Sequence, residues 1–170
     1  KPGISAALAQ SRNTPAIRVG DFAGLKNVIH TARQAGFKQT IPNQPSIYLG
    51  AFSATPLEVA TAYTAFPNDC IVYRPYLINE IIDEDGKTVY QGSGIMGWDN
   101  NASKSSSRAV SNILEQVTNT GTARYLRTTH GFKKPAAGKT GTTNNSRDGW
   151  FAGYTSRLTC AVWVGMDDNS

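Results

Sequence analysis

The chain has 170 residues, the length of one domain or a piece of one, and enough to remove roughly 70% of its unfolded surface from water without metal or disulfide staples. Hydrophobic residues make up 39% and glycines number 16, which excludes collagen, coiled coil and bulk disorder. The net charge of +5 sits in one stretch: residues 104–157 hold nine Lys/Arg against Glu115 and Asp148, the footprint of an anionic surface, a nucleic acid or a carboxylate-bearing ligand.

In chain order, Ile4, Ala7 and Leu8 fall at helical spacing, and Thr14-Pro15 breaks or restarts that helix. Leu25, Val28, Ile29, Ala32 and Ala35 make a helical stripe closed by Gly36. Residues 37–54 carry no period and are expected to be loop. Thr55-Pro56-Leu57-Glu58 is a capping box with proline at the first helical position, predicting a helix that stops near Pro67-Asn68. Leu77–Ile82 and Lys87–Tyr90 flank Asp83-Glu84-Asp85-Gly86 and read as a β-hairpin. After a Gly/Asn/Ser-rich loop, Ser105–Ser107 are placed to cap a helix with the face Val110, Ile113, Leu114 and Val117. Residues 136–142, 149–155 and 158–165 read as short strands. The expected class is α+β, helices first and then an antiparallel meander.

Several chemistries are disfavoured at once. No basic run exceeds two residues and no aromatic-plus-glycine RNA signature occurs, so nucleic acid is not the expected partner. Cys70 and Cys160 lack a C-x-x-C neighbour, and His30 and His130 lack ligand spacing. Two separate buried thiols are expected rather than one disulfide, with no metal and no cofactor. The longest uncharged apolar run, Leu158–Met166, is far short of the ~20 residues of a membrane span. Lys1-Pro2-Gly3 is unlike a signal peptide and is expected to be a mid-protein start.

The sharpest local feature is Gly138-Lys139-Thr140-Gly141-Thr142. A phosphate-binding loop would need a glycine at position 133, which is lysine, and a helix afterwards, which Gly141 and Asn144-Asn145 oppose. As a strand, the segment puts Lys139 and Gly141 on one face and Thr140 and Thr142 on the other. A glycine there lets a ligand backbone approach, and the hydroxyls and ammonium suit a carboxylate.

Together with Ser11-Arg12-Asn13, this segment resembles the second and third motifs of the penicillin-binding proteins and serine β-lactamases. Tyr48-Leu49-Gly50-Ala51, Thr55-Pro56-Leu57-Glu58-Val59-Ala60, Gly121-Thr122-Ala123 and Asp148-Gly149-Trp150-Phe151-Ala152-Gly153-Tyr154 follow in the expected order. The run is most similar to the bifunctional class A transpeptidases. The resemblance implies a β-lactamase/transpeptidase-like fold, with helices packed on an antiparallel sheet. Residues 1–170 would be part of such a domain, from just before Ser-x-Asn to the strand after Lys-Thr-Gly. It implies a peptidoglycan D,D-transpeptidase that acylates a serine from D-Ala-D-Ala stem peptides and is inhibited by β-lactams. The site would lie outside the bacterial cytoplasmic membrane, anchored by a segment ahead of residue 1.

None of the chain's serines has lysine three positions on, so the family's Ser-x-x-Lys nucleophile motif, its helix and the first strands are expected to precede residue 1, in the same chain or on a separate one. By the resemblance, Ser11 relays a proton to the leaving amine, and Asn13 hydrogen-bonds the missing lysine and the substrate amide. Lys139 holds Ser11 and attracts the carboxylate, while Thr140 and Thr142 donate to it along the strand with Gly141. The Thr142 N–H supplies half of an oxyanion hole. Trp150 and Trp163 are expected only to pack the sheet, and Arg124 and Arg127 to be solvated. The competing reading is a non-catalytic penicillin-binding-like module or β-lactam sensor.

Overall fold

The computed structural model describes residues 3–92, the backbone of 95–96, and residues 104–143 and 147–166. Its centre is a three-stranded antiparallel sheet of β5 (Ala137–Thr142), β6 (Asp148–Tyr154) and β7 (Thr159–Gly165), in the order β5-β6-β7. Lys139 pairs with Ala152, Gly141 with Trp150, and Trp150 in turn with Trp163. The expected meander is therefore present, and residues 137–142 are strand rather than a phosphate-binding loop. β5 and β7 are its two edges among the described residues.

Because strand side chains alternate, Ala137, Lys139 and Gly141 share a face with Tyr154, Ala152, Trp150 and Trp163. The helices cover this face. α1 (Ile4–Ala9) and α5 (Lys104–Asn119) meet it at a buried cluster of Ala9, Leu114, Val117, Ala137 and Tyr154, with Tyr63 and Phe66 packed alongside. α4 (Pro56–Tyr63) crosses β6 and β7. On the opposite face Val162 and Val164 are exposed.

The capping box on α4 forms as expected. Thr55 Oγ1 accepts from Glu58 N–H, and Glu58 accepts from Thr55 N–H at 2.9 Å. Glu58 also accepts from Lys38 N–H at 2.9 Å, tying the preceding loop to the helix. The stripe of α3 (Leu25–Gln34) is only half-buried, and Ala35, just past its end, is the position that closes into the core. The expected hairpin is β2 (Glu80–Ile82) with β3 (Thr88–Gln91), closed by Asp83 Oδ1 accepting from Asp85 and Lys87 N–H.

Of the two outcomes expected at Thr14-Pro15 the structure has the restart, with α2 (Asn13–Ala23) following Ser11 at once, because a proline in the first helical turn has no intrahelical N–H bond to lose. Other expectations are corrected. The helix opened by the capping box ends at Tyr63, short of Pro67-Asn68. The 37–54 stretch contains a 3₁₀ turn, Pro45–Leu49, and its Tyr48 ring packs on Gly20 of α2. The 91–104 stretch contributes β4 (Ile95–Met96), paired with β1 (Val72–Tyr73). Ser105–Ser107 lie inside α5 rather than before it; Ser107 is buried and donates to the Ala65 and Phe66 carbonyls. A short α6 (Tyr125–Thr128) completes the described elements. No disulfide joins Cys70 and Cys160, and the expected burial of both thiols is not found: Cys70 is half-buried, and Cys160 is exposed because it falls on the uncovered face of β7.

Candidate functional site

Helix α1 ends in a tight reversal. Ser11 N–H donates to Leu8 O and Arg12 N–H to Ala7 O, the paired bonds of a Schellman turn. The position that closes such a turn is left-handed and usually glycine; here it is Ser11, at φ 53°. A non-glycine residue there costs on the order of 1 kcal/mol. What the strained position achieves is direction: Ser11 Oγ faces β5 and accepts from Lys139 Nζ at 2.7 Å. The contact expected between the two motifs, 128 residues apart, is made.

Lys139 is held from two sides, since its ammonium also donates to Thr140 O at 2.8 Å. No carboxylate pairs with it among the described residues, and partial burial pushes its pKa below the ordinary lysine value. The nearest acid in sequence, Asp148, is already committed to Trp163 Nε1–H at 2.8 Å and Thr143 Oγ1–H at 3.0 Å. The ammonium is therefore an unneutralised positive charge beside an edge strand, a setting that favours an anionic ligand.

That strand borders a cleft of about 690 Å³. Lys139, Thr140, Gly141 and Thr142 form one wall, and Phe37, Phe52, Val59, Tyr63, Trp150 and Trp163 make the rest largely apolar and aromatic. Such a site combines a broad apolar surface with a few converging polar groups. Desolvation pushes the Tyr63 phenol up to about 12, so it stays neutral at physiological pH. Trp150 and Trp163, expected only to pack the sheet, pack together with ring centroids 6.5 Å apart and also line this cleft.

Asn13 is the first residue of α2 and exposed, and among the described residues its side chain makes no hydrogen bond to Ser11 or Lys139. Arg127 is not solvated as expected. Its guanidinium donates to Asn119 Oδ1 and to the Phe132, Lys134 and Ala136 carbonyls, clasping the segment that leads into β5. The reason is geometric: α6 stands over three backbone carbonyls of the irregular segment before β5 and the Asn119 side chain. Thr122, quoted above only within a motif, has its hydroxyl 2.6 Å from that of Thr140. Its signal was the Gly-Thr pair directly after α5, where a close approach of two segments needs a residue without a side chain.

The family model described as the penicillin binding protein transpeptidase domain matches residues 3–170. Penicillin-binding protein 1B of Vibrio cholerae is 33% identical over 165 residues, which covers 96% of this chain and 21% of that protein. The chain thus spans about a fifth of the length of the curated relatives it matches. The crystal structure of penicillin-binding protein 1A from Haemophilus influenzae superposes with a TM-score of 0.81 at 28% identity, covering 97% of this chain and 30% of that one. The PonA1 protein of Mycobacterium tuberculosis, solved in complex with penicillin V, superposes with a TM-score of 0.79 at 25% identity, covering 99% of this chain and 48% of that one.

Proposed function

The chain belongs to the penicillin-binding protein transpeptidase family, and we propose that in its full-length protein it supplies two sides of a penicillin-sensitive peptidoglycan D,D-transpeptidase site. The observation that carries this reading is the 2.7 Å bond from Lys139 Nζ to Ser11 Oγ at the edge of the cleft lined by Thr140 and Thr142. The substrate would be a D-Ala-D-Ala stem peptide, laid along β5 with its carboxylate at Thr140, Thr142 and Lys139 and its backbone against Gly141. A serine from the rest of the domain attacks the penultimate carbonyl. Its proton passes by way of Ser11 to the leaving D-alanine amine, and an acceptor amine then attacks the acyl-serine. Lys139 keeps Ser11 oriented as hydrogen-bond acceptor, so the serine's own proton stays free for the relay. The Thr142 N–H would serve as one oxyanion donor, worth on the order of 3 kcal/mol. Asn13, at the mouth of α2, would bind the nucleophile's lysine once that segment is in place.

The remainder of the same domain is the proposed partner, seated on the open aromatic cleft and beside β7. The domain would act on the outer side of the cytoplasmic membrane of a bacterium, as its bacterial relatives suggest. A fluorescent penicillin tests the reading. The full-length protein should form a covalent adduct and the isolated 170-residue chain should not, because none of its serines is followed three residues on by lysine. In the full-length protein Ser11→Ala should slow acylation by about 10²-fold or more, the usual worth of a proton relay. An unlabelled full-length protein, or labelling of the isolated chain at Ser11, would overturn the assignment. An adduct without turnover of a stem-peptide substrate would mark a sensor rather than an enzyme.

A further inference from the structure

The turn after α5 connects the two motif-bearing elements through a single residue. Thr122 N–H donates to Ala9 O at 3.2 Å, two residues before Ser11. Its hydroxyl lies 2.6 Å from the Thr140 hydroxyl, one residue after Lys139. Gly121 lets the turn come this close, since a Cβ there would lie 2.3 Å from Ala9 O. Thr122 is half-buried behind Thr140, which is the residue that lines the cleft.

A threonine hydroxyl has one proton and two lone pairs. Left to rotate, the Thr140 proton would have several acceptors to choose from, including the carbonyls of its own strand. Either hydroxyl of the pair can donate; with Thr122 donating, one Thr140 lone pair is filled, its O–H bond is polarised and its proton is left to point toward the cleft. We infer that Thr122 is a positioning residue. It aligns the Thr140 hydroxyl as a donor to the anionic end of the ligand, and through Ala9 it sets the α1 turn, and with it Ser11, in register with β5. This rests on the transpeptidase reading above, because it assigns Thr140 to a ligand carboxylate.

The test uses the full-length protein with Thr122→Val, Thr122→Ser, Thr140→Val and the Thr122→Val/Thr140→Val pair. Valine keeps the volume and the backbone N–H and removes only the hydroxyl. Acylation by a fluorescent penicillin is measured over a concentration series, so that binding and the chemical step separate, and thermal midpoints are recorded. Thr122→Val should weaken binding about tenfold, the loss of one aligned hydrogen bond to a charged group, with the thermal midpoint little changed. Thr122→Ser should restore most of it, and adding Thr122→Val to Thr140→Val should cost nothing further, since both remove one linked interaction. If Thr122→Val does not fold, Thr122→Ala carries the same expectations. Wild-type binding in Thr122→Val, no rescue by serine, or losses that multiply in the pair would each overturn the inference. A wild type that no penicillin labels would instead overturn the transpeptidase reading on which it rests.

Discussion

Replacing Gly121 by alanine should destabilise the protein and slow acylation together, although a generic estimate gives the opposite sign. Gly121 is buried and its φ is not positive, so alanine fits the backbone and restricts the unfolded chain, a gain of about 0.4–1 kcal/mol. The new Cβ, however, would sit 2.3 Å from Ala9 O, 2.8 Å from Val117 Cα and 3.0 Å from Val117 O. All three are backbone atoms of α1 and α5, and no side chain can swing aside. Relief requires α1 to retreat by about 1 Å, and overpacking of this kind costs roughly 1–3 kcal/mol. The net should be a loss of about 1–2 kcal/mol, or some 2–4 °C of thermal midpoint per kcal/mol for a domain of this size.

The same retreat carries Ser11, two residues beyond Ala9, away from Lys139. A bond of 2.7 Å opened by about 1 Å is no longer a hydrogen bond, and a misplacement of that size can cost about 100-fold in rate. Thermal unfolding and penicillin acylation of the full-length variant read the two effects. Gly149→Ala is the control, because its Cβ would meet only Val164 O, at 3.8 Å. A Gly121→Ala protein as stable as wild type and acylated as fast would refute the argued contact between α1 and the α5 turn.

Thr55→Ala should cost about 1 kcal/mol in urea unfolding at neutral pH. Burial works to raise the Glu58 carboxyl, but the Thr55 and Lys38 N–H donors outweigh it and hold its pKa below the usual value, so the Glu58 contribution should be present above the ordinary glutamate pKa and fade as pH falls through the lowered one. Lys139→Met should abolish acylation yet leave the thermal midpoint unchanged or raised, because burial lowers the pKa of this lysine. The unfolded chain then binds the extra proton, and wild-type stability should rise with pH from the lowered value toward the ordinary lysine pKa, a rise the methionine variant lacks. A loss above about 1 kcal/mol in that variant would show instead that the lysine supports the fold. The isolated chain, with the β7 edge unpaired among the described residues and Leu158, Val162 and Val164 exposed, should associate on gel filtration; a monodisperse monomer would argue against an interface there.

The elements that were legible in the sequence are those whose burial is one-sided and local. The α5 face, Val110, Leu114 and Val117, repeats every three to four residues because only one side meets β5. The α4 cap is written in four consecutive letters, and β7 alternates because only one of its faces is covered. What local pattern could not supply was pairing at a distance. No periodicity says that Ser11, among the chain's serines, faces Lys139; the ordered resemblance of motifs did that. β1 with β4 was invisible for the same reason, a pair of two-residue strands far apart in the chain; the Arg127 clasp is local but follows no period that a pattern could show.

The site also hid because it departs from local preference. Ser11 occupies a left-handed position that favours glycine, Lys139 is partly buried with no carboxylate beside it among the described residues, and Thr140 has its hydroxyl held by another hydroxyl rather than by a backbone group. Each choice is unfavourable or neutral for folding taken alone. They become consistent only when the three groups converge on one edge of the cleft, where they leave an oriented ammonium and a pair of linked hydroxyls with no acidic group among the described residues to neutralise the charge. A strand chosen for stability would have placed a carboxylate near Lys139. Here the nearest acid in sequence, Asp148, is turned to Trp163 and Thr143, which leaves the Lys139 ammonium open to the ligand carboxylate proposed above.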